Sequence, residues 1–344
     1  MSTSIALPTA IEHLPRIQLT HAPTPLQEAT RLAFTLNCSR IFVKRDDCTG
    51  LAGGGNKTRK LEFLMADALS HGADCIITTG AEQSNHCRQS AAAAARLGLE
   101  CHLVLSTSQP RRPVGNHFLD LLLGARIHWS EKHRRTQTMV DLADDLRAYG
   151  KRPYTIPVGA SNSLGAMGYV VAMFELQQQL NDMNLRIDRI VFATSSGGTH
   201  AGLVLGAALC GFEGKITGIS IDQTPNGATD QPLPSQILDM MTQASALLEL
   251  DLNFHSDDID INYDYLGQGY GIVGKLEREA ISLLATQEGI LLGPIYTGRA
   301  MGALIDMIGR SRISSDEQVL FWHTGDDLAL HAYTDDILPS KQQC

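Results

Sequence analysis

The sequence predicts an α/β protein of two open, twisted parallel-sheet domains. Two observations carry this. Apolar runs of strand length alternate with helix-period segments across short connections, once from Arg40 to Leu105 and again from Arg152 to Leu330. The chain of 344 residues is 43% hydrophobic and 6% aromatic with 31 glycines, a composition that suits a large core with many tight turns.

The elements follow in order. "RIFVKRDD", Arg40 to Asp47, reads as a strand entering a loop. "NKTRKLEFLMADALSHG" places Leu61, Leu64, Met65, Ala68 and Leu69 at helical spacing, with Gly72 as the stop. "DCIITTG" is a short buried strand, "SNHCRQSAAAAARLGL" a helix ending at Gly98, and "ECHLVL" a strand. Later, "RPYTIPVG" is a strand and turn and "GAMGYVVAMFELQQQL" a helix. "RIVFATSSGGTHAGLVLGAAL" is a strand, a glycine-serine turn and a helix. "KITGISI" is a strand, "GKLEREAISLLATQEG" a helix, and "QVLFWHTGDDLAL" a strand entering a last turn. Residues 222–235, "DQTPNGATDQPLPS", read as a surface excursion.

Charge and motif content exclude several classes. The net charge is −9, so no basic surface argues for nucleic acid, and the short basic clusters Arg111–Arg112 and Lys132 to Arg135 read as solvated faces. No apolar run approaches the roughly 18 residues that cross a bilayer, and the N-terminus lacks a secretory pattern. Seven scattered cysteines without a CxxC pair suit a reduced, cytoplasmic protein. Asn56 interrupts any Walker loop, "GQGYGIVG" lacks dinucleotide spacing, and neither HExxH nor GxSxG occurs. The pair Asp326–Asp327 reads as a polar turn rather than a cation site.

Two stretches have chemical content. "TSSGGTHAG", Thr194 to Gly202, joins a strand to a helix and either gathers backbone N–H groups for an anion or is a flexible connection. "GLAGGGNKTRKLEFL", Gly50 to Leu64, sets three glycines before Lys57, which implies close approach by a ligand or another backbone. Lys57 is either an exposed helix-start lysine or a carbonyl-reactive amine. The second role requires desolvation or neighbouring cations, and Arg59 and Lys60 lie beside it. A Schiff-base lysine with a phosphate turn is what pyridoxal 5′-phosphate requires.

"KRDD…GGGNKTRKLEFL", "GAEQSNHCRQSAAAAARLGL", "GASNSLGAMGY", "SSGGTHAGL", "LLGPIYTGRAMGALID" and "FWHTGD" together resemble the D-cysteine desulfhydrase and 1-aminocyclopropane-1-carboxylate deaminase family, from about Leu14 to Tyr333. The resemblance implies a fold-type II pyridoxal-phosphate enzyme, with a large domain of residues 1–58 and 170–344, a small domain of 59–169, and the cofactor between them. It implies that Lys57 carries the cofactor and takes the substrate's α-proton, that Asn85 meets the cofactor's phenolic oxygen, and that Ser84 faces the substrate. Ser195, Ser196, Gly197, Gly198 and Thr199 match the phosphate turn with Lys60 near it. Tyr270 and Tyr296 match the active-site tyrosines, and Thr297 and Thr324 lie where side chains meet the pyridine nitrogen. A homodimer is also implied.

The family's cyclopropane deaminases carry Glu where this chain has Thr297. A hydroxyl cannot hold a ring-nitrogen charge as a carboxylate does, so the resemblance points to β-elimination. The expectation is D-cysteine desulfhydrase activity, giving pyruvate, hydrogen sulfide and ammonia. The alternatives are the L-cysteate sulfo-lyase branch, which "KRDDCTGL" also resembles, cyclopropane deamination, and a non-catalytic homologue. "HTGD" departs from the usual "HTGG" at Asp326 and "GGTH" from "GATH". Glu82 is a further departure; in the pocket it would oppose a sulfonate.

Overall fold

The computed structural model describes residues 6–106, 112–224 and 231–338. Arg111, Cys344, the first five residues and the middle of the 222–235 excursion lie outside the described residues. The strands are β1 (Leu26–Glu28), β2 (Arg40–Arg45), β3 (Cys75–Gly80), β4 (Glu100–Leu105), β5 (Arg126–Trp129), β6 (Pro153–Thr155), β7 (Arg189–Thr194), β8 (Lys215–Ser220), β9 (Asp260–Asn262) and β10 (Gln318–His323). They form one sheet in the order β1-β2-β10-β7-β8-β9 and a second in the order β5-β4-β3-β6. All pairings are parallel except that β1 runs antiparallel to β2, so the expected α/β class is the one observed, with a short antiparallel edge added.

Period-2 alternation explains how the large sheet is covered on both faces. Ile41 and Val43 of β2, Val191 of β7, and Val319 and Phe321 of β10 pack with residues of the helices Lys275–Glu288 and Thr297–Gly309. Phe42, Ile190, Phe192, Leu320 and Trp322 point the other way, onto the helices Ser163–Asp182, Gly198–Cys210 and Leu233–Leu247. The small sheet is covered likewise, with Ile76 and Leu103 on one face and Ile77 and Val104 on the other.

The glycine run before Lys57 is explained by other backbone. Gly54 has φ +78, and a β-carbon there would collide with the carbonyl oxygen of Asp47. Gly325, φ +92, brings its own backbone against Gly55, where a β-carbon on Gly325 would stand 2.7 Å from the Gly55 Cα. The run lets the β2 and β10 exits pass over each other, and Lys57 follows as the first residue of the helix Lys57–Ser70.

Arg59, two residues on, does not join Lys57. Its guanidinium is buried in an ionic cluster, 2.9 Å from Asp46 Oδ1 and 2.9 Å from Glu175 Oε1, while Lys44 contacts Glu175 at 2.5 Å. Asp46 also accepts from the Tyr169 hydroxyl at 2.6 Å and the Trp322 indole at 2.8 Å. This cluster ties the start of the Lys57 helix to the end of β2 and to the helix Ser163–Asp182.

Candidate active site

A cavity of about 200 Å³ opens where the carboxyl ends of parallel strands from both sheets meet, the usual place for a ligand in such folds. The end of β3 delivers Gly80 and Ala81, and the following turn Ser84 and Asn85. The end of β7 delivers Thr194 to Gly197, β10 delivers Thr324, and Tyr270 and Tyr296 come from the loops preceding the helices Lys275–Glu288 and Thr297–Gly309. Lys57, Ser84, Asn85, Ser195, Ser196, Gly197, Thr199, Tyr270, Tyr296 and Thr324, spread over 268 positions of sequence, line this one cavity.

The Lys57 amine has no hydrogen bond or ion pair among the described residues. The surrounding protein strips it of water, which lowers its pKa from 10.5 to about 8, and the opposing pull of Asp326 only partly restores it. Desolvation, rather than the cation crowding suggested by Arg59 and Lys60, therefore makes this amine available in its neutral form. Asn85 opens the helix Asn85–Leu97 beside it, and its side-chain amide likewise meets no partner among the described residues. The Ser84 hydroxyl caps that helix, accepting from Cys87 N at 3.3 Å.

The glycine-serine turn is the N-terminus of the helix Gly198–Cys210. Gly197 has φ +79, and a β-carbon on Gly198 would fall 2.7 Å from Ser161 Oγ and 2.9 Å from Lys60 Nζ. Ser161 Oγ lies 2.8 Å from Ser196 Oγ and accepts from Gly198 N at 3.2 Å. Lys60 donates to the Gly159 carbonyl at 3.1 Å and to Ser161 Oγ at 3.2 Å, so it stands behind the turn and not on the cavity wall. Thr199 Oγ1 accepts from Asn56 Nδ2 at 3.0 Å, and Ser195 Oγ donates to Asp222 Oδ1 at 2.8 Å. Hydroxyls, free N–H groups and the positive end of a helix dipole converge here, the chemistry that holds a phosphate.

Tyr270 and Tyr296 meet edge to face with ring centroids 5.8 Å apart. Burial pushes both phenols well above their ordinary pKa, so both keep their protons at neutral pH.

Several residues stand apart from where the sequence suggests. Thr297 lies outside the cavity wall, its hydroxyl accepting from Gly293 N at 2.7 Å and donating to the Gly325 carbonyl at 3.2 Å. Asp326 lies in a turn, as the sequence suggests, but a buried one. It is fully buried at φ +87, its Oδ2 accepts from Ile295 N and Tyr296 N at 3.2 Å each, and its Oδ1 has no partner. Glu82 lies outside the cavity lining, its carboxylate 3.5 Å from His117 Nδ1. Lys132 and Arg135, expected on a solvated face, line the cavity. The solvated face is observed for Lys132, His133 and Arg134, which are exposed, and Arg135 is half-buried; the expectation missed only that this face borders the cavity. Ser161 joins the turn without a sequence signal beyond its place in "GASNSLG".

The donor set fits pyridoxal 5′-phosphate: a partnerless desolvated amine, a partnerless amide beside it and an anion cradle share one cavity. No group of three or more His, Cys, Asp or Glu side chains among the described residues is placed to hold a metal ion. No described helix is long and apolar enough to cross a membrane.

Comparison with known proteins agrees. The chain is 42% identical over 330 residues to a D-cysteine desulfhydrase of Serratia proteamaculans, covering 94% of this chain and 97% of that protein. It is 41% identical over 329 residues to the D-cysteine desulfhydrase of Salmonella newport, with coverage of 94% and 97%. A crystal structure of an ACC deaminase homologue superposes with a TM-score of 0.87 at 33% identity, covering 96% of this chain and 97% of that one. O-ureido-L-serine synthase, at 16% identity and a TM-score of 0.64, shares the fold, with 96% of each chain covered. With an amine, an amide and a phosphate cradle assembled as this cofactor needs them, and with the pyridoxal-phosphate dependent enzyme model matching residues 17–325, the chain belongs to the family of pyridoxal-phosphate dependent enzymes.

Proposed function

We propose that this enzyme removes the β-substituent of a small sulfur-bearing amino acid, converting D-cysteine to pyruvate, hydrogen sulfide and ammonia. The observation that carries the reading is the partnerless Lys57 amine lining one cavity with the tyrosine pair, in a chain whose Serratia and Salmonella relatives, matched over 97% of their length, are D-cysteine desulfhydrases. When bound, pyridoxal phosphate supplies the electron sink that makes the substrate's α-proton acidic.

The chain's residues do the rest. The turn of Ser195, Ser196, Gly197, Gly198 and Thr199, backed by Ser161 and Lys60, holds the phosphate. Asn85 donates to the phenolic oxygen, and Thr324 stands at the ring. Ser84 and the N-terminus of its helix take the substrate carboxylate. Lys57 Nζ accepts the α-proton. The sulfur departs with the C–S bonding pair, and the Tyr270–Tyr296 pair supplies its proton. The unsaturated amine that remains hydrolyses to pyruvate and ammonia. Thr297 acts through the Gly325 carbonyl, holding the turn that carries Thr324 rather than touching the ring.

A second reading, elimination of sulfite from L-cysteate, draws support from one observation: Glu82 is turned toward His117. The objection that this carboxylate would repel a sulfonate therefore loses its force.

The reading extends to architecture and setting. The division into a large domain of residues 1–58 and 170–344 and a small domain of 59–169 is supported by the distribution of β3 to β6 in one sheet and the other strands in the second. A homodimer is supported by the apolar surface of the helix Gly115–Leu122, where Leu122 is 68% exposed beside Phe118 and Leu121. A cytoplasmic setting is supported by the unpaired state of the six described cysteines.

The test is pyruvate release by the cofactor-loaded protein with D-cysteine and L-cysteate compared at matched concentration. Faster turnover of D-cysteine supports the first reading and faster turnover of L-cysteate the second; pyruvate from neither refutes both.

A further inference from the structure

Tyr270 sits in a segment with little reason to hold one shape. Residues 263–274, "YDYLGQGYGIVG", join the strand Asp260–Asn262 to the helix Lys275–Glu288 without regular structure, and four of the twelve are glycines. Gly267, Gly269 and Gly271 have φ +59, +125 and +71, so the chain around Tyr270 is backbone with few side chains to pack. The Tyr265 hydroxyl anchors the start of the segment on Asp306 at 2.8 Å. Beyond that point its own backbone adds the bond from Gly269 N to the Leu266 carbonyl at 3.3 Å.

One side chain holds the rest. Arg299, in the first turn of the helix Thr297–Gly309, is 1% exposed and places all five of its N–H donors. Its Nε donates to Glu277 Oε1 at 2.7 Å, and Nη1 to the carbonyls of Ile221 and Leu266 at 2.8 Å each. Its Nη2 donates to the carbonyls of Gly269 at 3.0 Å and Ile272 at 3.1 Å, one on each side of Tyr270. A β-carbon on Gly267 would stand 3.2 Å from Nη2, so the segment lies directly on the guanidinium. Glu277 uses its other oxygen to accept from Gly274 N at 2.8 Å, which fixes the far end.

The same side chain leads to the other phenol. Tyr296 precedes Arg299 by three residues, and its carbonyl accepts from Ala300 N at 3.0 Å in the helix that Arg299 helps to start. Ile221, the fourth carbonyl, precedes Asp222, the cavity-lining acid that accepts from the Ser195 hydroxyl. Arg299 itself is not on the cavity wall. A buried ion pair kept for stability alone could give way to apolar packing, but four of these five donors go to main-chain carbonyls, three of them beside Tyr270. Only a planar fork of five donors fills them; a lysine brings three donors on one atom.

We propose that Arg299 is a positioning residue for the elimination: its guanidinium sets the backbone on both sides of Tyr270, so that this phenol meets Tyr296 in the geometry that delivers a proton to the departing sulfur. The proposal rests on the β-elimination reading of the cavity.

Two variants and two readouts test it, all in the cofactor-loaded protein. Arg299→Lys keeps a charge beside Glu277 and loses the fork. The R299Q/E277Q double variant removes both charges, so neither is left buried alone, and it stands in should Arg299→Lys fail to fold. In either, kcat falls by about a hundredfold, the loss that a misplacement of about 1 Å brings. KM stays within about twofold of wild type and the visible absorbance of lysine-bound cofactor is retained, because ground-state binding is untouched. On a Tyr270→Phe background the same change at Arg299 costs less than about threefold, since the hydroxyl it places is gone. The second readout needs no turnover: 3-fluorotyrosine at position 270 gives one narrow fluorine resonance with Arg299 in place and a shifted or broadened one in the variants. An unchanged resonance, or a kcat within about twofold of wild type, overturns the proposal. So does a hundredfold loss that persists in full on the Tyr270→Phe background, which would make Arg299 a support of the fold alone. A resonance that responds in a protein whose wild type releases no pyruvate from any β-substituted amino acid condemns the elimination reading and supports the placement of Tyr270 by Arg299.

Discussion

The hydroxyls of Tyr270 and Tyr296 are 2.6 Å apart. Two phenols share one hydrogen bond by having one donate and the other accept, so one O–H remains free to point at a third atom in the cavity. Because burial raises both pKa values, that free hydrogen is present at neutral pH. The pair acts as a unit, and losing either member leaves the other misdirected. Tyr270→Phe and Tyr296→Phe should each lower kcat by about 10²–10⁴, the range for a positioned proton donor. The double variant should be no worse than the poorer single variant. Multiplicative losses in steady-state kinetics would show that the tyrosines work independently.

Local pattern made much of this site legible. The strand–turn–helix around "TSSGGTHAG" and the lysine after "GLAGGG" announce themselves within ten residues, because turn chemistry and helix starts are short-range properties. The place of Lys132 and Arg135 on the cavity wall was not legible, since a basic run before a helix has the same sequence signature whether or not a cavity borders it. Nor was Thr297. Its place beside Tyr296 gave its neighbourhood, but the direction of its side chain depends on the Gly325 carbonyl 28 residues away. Asp326 could be seen as a departure, but its burial depends on the packing of Gly293 and Gly55 around the final turn.

Asp326 holds the backbone of Tyr296 at a cost. It occupies a left-handed conformation that disfavours side chains, with one carboxyl oxygen unpartnered, and burial drives its pKa well above 3.8. Above the unfolded-state value the unfolded chain ionises more readily than the folded one, so this group subtracts stability as pH rises through the interval. Asp326→Asn keeps an oxygen to accept from Ile295 N and Tyr296 N and removes the titration. Its melting temperature should exceed wild type at pH 7, the difference shrinking as pH falls toward 4. A variant less stable than wild type at pH 7 would mean that the carboxylate gains more from its surroundings in the fold than burial costs it.

Arg59 fixes the origin of the Lys57 helix through Asp46 and Glu175. Removing it leaves two buried carboxylates with only Lys44 to answer them. Arg59→Met should therefore destabilise the protein by about 3–5 kcal/mol, the usual cost of halving a buried pair. Urea unfolding of the holoenzyme reads this directly. Loss of cofactor at denaturant concentrations below the main transition is also expected, because the first turn carrying Lys57 loosens before the core. A loss under about 1 kcal/mol would place the cluster among pairs that contribute little.

Lys57 carries the opposite balance, a chemical asset that weakens the fold. In the cofactor-free protein its ammonium is disfavoured by burial, with a pKa of about 8 against 10.5 for a free lysine. The folded state therefore bears the full penalty below pH 8, and the penalty fades as pH rises toward 10.5, where the unfolded chain also loses the proton. At about 1.4 kcal/mol per pH unit the penalty is on the order of 3 kcal/mol. Lys57→Met should abolish turnover and the visible absorbance of lysine-bound cofactor. The cofactor-free variant should nonetheless melt a few degrees above cofactor-free wild type at pH 7. Repeating the melts at pH 9.5 should narrow the gap. A constant gap across that range would mean the amine keeps its proton when folded, and a proton acceptor for the substrate's α-carbon would have to be sought elsewhere in the cavity.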